Sequence, residues 1–125
     1  VGLLPARAPR SEAAIRSIIM QTRPPDAVYM TMPVGIGRDD HQWVGAMPTW
    51  IPLYSQFVAV NWCGRDYNTN TALLCTLRIE RHPSTRILVF DDDVIYHPGL
   101  LARLLDVSKA NPGARVGSAP LHMYG

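Results

Sequence analysis

The apolar run Ile87-Leu-Val-Phe90 breaks off directly into three carboxylates, Asp91, Asp92 and Asp93. A short run rich in β-formers predicts a strand buried on both faces of a sheet. Three like charges packed this closely raise each other's pKa and repel. A hard divalent cation with oxygen ligands relieves that repulsion. Ligands in open α/β sheets collect where strands end, and these acids follow such an end. A cation held there would neutralise a diphosphate and stabilise a phosphate leaving group. The bland alternative is a solvated acidic loop leading into a helix.

The rest of the chain supplies the sheet such a strand needs. Val1 to Leu4 reads as a first strand, and Pro5 to Arg10 as a loop. Ser11 is placed to cap a helix whose apolar stripe is Ile15, Ile18 and Ile19. Pro24 and Pro25 end that helix, and Ala27 to Met32 reads as a second strand closed by Pro33. Strand, helix, strand with short links predicts a right-handed βαβ unit. A third strand is expected over Phe57 to Asn61, then a helix burying Leu73, Leu74 and Leu77 and running to about Arg81. After the acids, Pro98 opens a third helix with Leu100, Leu101, Leu104 and Leu105 on its core face. Asn111, Pro112 and Gly113 end it, and Arg115 to Ala119 reads as a fifth strand. The expectation is an α/β fold, a three-layer α/β/α sandwich around a mainly parallel sheet.

Composition narrows the function. At 125 residues with 47% hydrophobic content, the chain makes one domain with a real core. A net charge of +2 and 18% charged residues give no basic stripe for nucleic acid and no disordered polyelectrolyte. No run of about twenty apolar residues encodes a membrane span. Cys63 and Cys75 are too few for a disulfide scaffold and match no Cys/His metal spacing. Residues 1–20, broken by Arg7, Arg10, Glu12 and Arg16, lack a signal-peptide pattern. Cytoplasm and a Golgi-type lumen both fit.

Residues 34–56 form a long connection rich in Gly and Pro, a length that is usually functional or mobile. Asp39-Asp40-His41 there reads as a solvated turn rather than a metal site. Trp50 and Ile51 are expected to pin the connection to the body. Asp66 or Asn68, beyond the third strand, would read a base or ribose by hydrogen bonds, or else cap the next helix.

Several of these stretches resemble a GT-A glycosyltransferase, of the small type related to family 2. They are Pro5-Ala-Arg7, Ser17-Ile-Ile-Met-Gln21-Thr22 with Pro24-Pro25, Val28-Tyr-Met-Thr-Met-Pro33, and Pro48-Thr-Trp50-Ile51. Asp66-Tyr67 leading into Leu73-Leu74, and Ile87-Leu-Val-Phe-Asp-Asp-Asp93, complete the set. The triple Asp is similar to the DxD motif. The resemblance implies a nucleotide-diphosphate sugar as donor, an acceptor of unspecified kind, and Mn²⁺ or Mg²⁺ as cofactor. It implies donor binding by Arg7, Asp66, Asp91 and Asp92, and metal binding by Asp91 and Asp93. It makes residues 1–125 a single nucleotide-sugar-binding domain, a fragment lacking the acceptor-binding half.

One stretch departs from the family's pattern. Related sequences carry Tyr-Gly-Pro and then a Thr-Lys pair, where this chain has Tyr67-Asn68-Thr69-Asn70-Thr71-Ala72. Ala72 removes a cation that could meet a phosphate. A degenerate domain that binds a sugar nucleotide without turnover is therefore an alternative. So is a haloacid dehalogenase-type phosphatase, with Asp91 as nucleophile, Asp93 as acid and Ile95 at its Thr/Val position, although that motif normally opens its domain. A phosphoacceptor domain fits less well, since Lys109 falls in a helix.

Overall fold

The computed structural model describes residues 1–34 and 48–117. Asp39-Asp40-His41 and residues 118–119 of the expected fifth strand lie outside them. The chain forms a small mixed α/β domain. Helix α1 spans Glu12–Ile19, strand β1 Val28–Pro33, strand β2 Val58–Cys63, helix α2 Thr71–Leu77 and helix α3 Leu100–Ala110.

β1 and β2 pair in parallel, from Val28 opposite Val58 to Pro33 opposite Cys63. The N-terminal stretch joins the far edge of β1 through one parallel bridge, Gly2 to Thr31. There Leu3 N–H donates to Thr31 O (2.9 Å) and Thr31 N–H to Val1 O (2.7 Å). β1 is thus the central strand, and Met30, Thr31 and Met32 are fully buried. Leu3, Ile15, Ile18, Trp50, Ile51 and Val58 complete the core around it. The stripe expected on α1 faces inward as its spacing requires.

α2 turns the other way from expectation. Its buried face is Thr71, Ala72, Cys75 and Thr76, while Leu73, Leu74 and Leu77 stand exposed. Small side chains let the helix approach the sheet closely. Thr76 Oγ1 donates to Ala72 O at 2.6 Å, so its hydroxyl is buried already satisfied. Cys75 forms a disulfide with Cys63 at the end of β2, with Cα atoms 6.0 Å apart.

The expected strand Ile87–Phe90 is not one here. Residues 86–90 are irregular, no backbone–backbone hydrogen bond joins them to another described residue, and Val89 is 50% exposed. They wall a cavity of about 440 Å³, with Val1, Val28, Leu101 and Leu105 on its other sides. A continuous apolar run signals burial, but pairing needs a neighbouring edge in register, which the run itself does not encode. Residues 114–117, the described part of the expected fifth strand, are also irregular. Among the described residues the sheet therefore has two strands and a bridge rather than five strands. α3 buries Leu101 fully and its other leucines in part.

α3 is tied to α1 by Gln21. The buried amide donates to Ser17 O (3.0 Å) and His97 O (2.9 Å) and accepts from Leu101 N–H (2.9 Å). It thereby satisfies a first-turn N–H of α3 that has no partner within the helix. Thr22 N–H adds a bond to Pro98 O at 2.9 Å. No described helix is long and apolar enough to cross a membrane.

Candidate functional site

The N-terminal stretch, β1 and β2 run in one direction, so the segments that follow them emerge at a common, carboxyl edge of the sheet. Arg7 follows the first and Asp66 the third.

Arg7 sits on a turn fixed from several sides. Its N–H and that of Ala8 both donate to Leu4 O, at 3.0 and 2.9 Å. Ser11 occupies the cap position of α1, yet its hydroxyl points back and donates to Arg7 O at 3.0 Å. The Trp50 indole N–H donates to Ala8 O at 2.9 Å in a buried bond. Trp50 and Ile51 do pin their segment to the body, and in doing so they brace the Arg7 turn. Tyr54 packs edge-on against Trp50 and donates to Glu12 at 2.8 Å.

The guanidinium of Arg7 reaches the acid loop. Nη2 lies 3.3 Å from Asp92 Oδ1, and Nη1 lies 3.9 Å from Asp93 Oδ2. The three acids are not equivalent. Asp92 is turned inward with its side chain 2% exposed, whereas that of Asp93 is 63% exposed and Asp91 is exposed as well. Asp92 Oδ2 is buried without a hydrogen-bond partner. Burial pushes the Asp92 carboxyl above the ordinary carboxylate value, and Arg7 opposes the shift.

Tyr96 anchors the loop. Its phenol accepts from Asp91 N–H at 2.7 Å and donates to Asp91 O at 3.3 Å. Its ring meets Phe90 edge-on at 4.8 Å, and its own N–H donates to Ser17 Oγ at 3.0 Å. Burial raises the Tyr96 phenol above its usual pKa.

The structure therefore brings Arg7, Asp92 and Asp93 together, and Asp66 is engaged elsewhere. Asp66 Oδ1 accepts from Asn68 N–H (2.8 Å) and Thr71 Oγ1 (3.0 Å), an Asx turn ahead of α2 rather than the helix cap weighed for it above. This holds Asn68 at φ 57°, in the left-handed region. Tyr67 is flanked by Arg65 and Arg78, whose guanidinium carbons lie 5.2 and 5.9 Å from the ring centre. Ala72 is buried, and a Cβ added at Gly2 would lie 3.6 Å from its own. That position faces the N-terminal stretch.

Among the described residues no group of three His, Cys, Asp or Glu side chains is gathered closely enough to hold a metal ion. The acid loop itself offers neighbouring carboxylates that face different ways, one of them with a buried oxygen that lacks a hydrogen-bond partner. Sequence reasoning missed Ser11, Trp50 and Tyr96 as supports of this site. Their signal was weak, because each acts through side-chain bonds to backbone atoms, which no sequence pattern marks. Compared with known proteins, the chain matches no family model, no curated protein and no solved structure.

Proposed function

We propose that this domain is the donor-binding part of a metal-dependent glycosyltransferase that takes a nucleotide-diphosphate sugar. The observation that carries the reading is the 3.3 Å pairing of Arg7 with Asp92. It joins a loop from the start of the chain to the acid loop late in it, with a cation and carboxylates side by side. A diphosphate needs both: arginine for its oxygens, and carboxylates to hold a neutralising metal. Asp91 and Asp93, with the partnerless oxygen of Asp92, would hold Mn²⁺ or Mg²⁺. The metal would offset the charge that develops on the departing diphosphate. The GT-A sandwich belongs to the same proposal. In it, Ile87–Phe90 docks as a further strand beside Val1–Leu3, closing the cavity between them and pairing backbone groups now without partners.

A second reading is favoured by the scattered acids and the buried Ala72: a domain that binds a sugar nucleotide without turning it over. Saturation-transfer NMR with a panel of nucleotide-diphosphate sugars and Mn²⁺ tests binding, and donor hydrolysis in the same samples separates the two readings. Saturation of sugar and base protons is expected for at least one donor. Silence across the panel contradicts both, and trapping of an acyl-phosphate at Asp91 favours a phosphatase.

A further inference from the structure

We propose that the Cys63–Cys75 disulfide is a redox latch: a dithiol reductant opens it and lets α2 lift from the sheet while the rest of the domain stays folded. The inference stands apart from the donor reading above.

α1 holds the sheet by apolar burial, since Ile15 and Ile18 belong to the cluster around β1. α2 contributes no side chain to that cluster. Its buried residues are small and its leucines are exposed, and small side chains remove little apolar surface from water. Among the described residues, 71–80 make two bonds to the sheet. One is the disulfide to the last residue of β2. The other runs from the Tyr29 phenol to Glu80 Oε1, at 2.6 Å. The bonds of Thr71 go instead to Tyr67, Asp66 and Asn68, in the loop that the disulfide itself closes. The covalent link therefore carries most of the attachment. That loop leaves β2 at the same edge of the sheet as Arg7, so opening the latch frees one side of that edge.

The chemistry is thiol–disulfide exchange. A thiolate of the reductant attacks one sulfur and forms a mixed disulfide, and its second thiol then displaces the chain. Two electrons and two protons pass to Cys63 and Cys75, and the reductant leaves as its own disulfide. Arg65 O lies 3.1 Å from Cys63 Sγ and is placed to accept the new S–H. Both cysteines are buried, so attack goes through the lifted helix.

Hydrogen-exchange mass spectrometry of the native chain, before and after dithiothreitol, tests the latch, with thiol alkylation reporting the bond. Reduction is expected to speed exchange across 71–80 by about a hundredfold, the loop-closure constraint released at a separation of 12 residues. Met30–Met32 should keep their protection, and glutathione disulfide should restore that of 71–80. Cys75→Ala should exchange fast across 71–80 with or without the dithiol; if it does not fold, the native chain decides alone. Unchanged exchange in a chain that alkylation proves reduced overturns the latch, as does protection in Cys75→Ala equal to that of the oxidised chain. Free thiols in the chain folded with glutathione disulfide also overturn it. Loss of protection at Met30–Met32 together with 71–80 does so too, because the bond is then a staple for the whole domain.

Discussion

The turn that carries Arg7 is bonded to Leu4, Ser11 and Trp50, whereas the loop that carries Asp91–Asp93 hangs from Tyr96 and from Arg7 itself. The backbone leading into the first is paired with the central strand, and the backbone leading into the second is paired with nothing described. One side of the candidate site is thus preformed and the other adjustable. The proposed diphosphate site would draw on that division. The fixed side sets where the ligand goes, and the adjustable side completes the site.

Amide exchange should display this contrast most strongly. Thr31, buried in the central strand, is expected to exchange at least about a hundredfold more slowly than Val89 in the free chain. Mn²⁺ with a nucleoside diphosphate should slow exchange at Leu88 to Phe90 if the segment docks as a strand. Equal protection of Thr31 and Val89 in the free chain breaks the comparison outright.

Removing the brace on the fixed side should cost nearly as much. Trp50→Ala is expected to destabilise the domain by about 3–5 kcal/mol, as loss of a large core aromatic usually does. Urea unfolding measures it, and a loss below about 1 kcal/mol would mean the turn is not held as described. Tyr96→Phe, on the adjustable side, should cost only about 1 kcal/mol, the worth of an ordinary hydrogen bond. Its sharper readout is faster exchange of the Asp91 amide, and an unchanged rate would remove Tyr96 as the anchor.

The smallest expected effect is in pH dependence. The Asp92 carboxyl titrates higher in the folded chain than in the unfolded one because burial outweighs Arg7. The folded state therefore binds more protons between the ordinary carboxylate value and the raised one. Stability should fall as pH rises through that window, and Asp92→Asn should flatten the slope. Thermal melts across that acidic range check the sign, and a steeper slope in Asp92→Asn contradicts it.

What was legible in the sequence follows the same division. The stripe of α1 is readable as a helical period, and β1 and β2 are readable as short runs of β-formers rather than as alternating patterns. The sequence does not show that Arg7 and Asp92 form an ion pair, since charge type carries no partner. The leucines of α2 were misread because the helix buries Thr71, Ala72, Cys75 and Thr76, whose small size signals close approach only when the sheet is in view. The Cys63–Cys75 disulfide went unseen for a similar reason: their spacing shows no pattern until α2 lies on β2. Ile87–Phe90 reads as a paired strand from hydrophobicity alone, and hydrophobicity does not supply the pairing edge.

The central claim is that the Arg7 turn and the acid loop together receive a metal-bound diphosphate. Calorimetric titration of uridine and guanosine diphosphate into the native chain and Asp93→Ala, each with Mn²⁺ and with EDTA, tests it most directly. The account predicts binding to the native chain that needs Mn²⁺, and loss of that dependence in Asp93→Ala. Binding of the same strength with Mn²⁺ and with EDTA, or no binding in either, would contradict it.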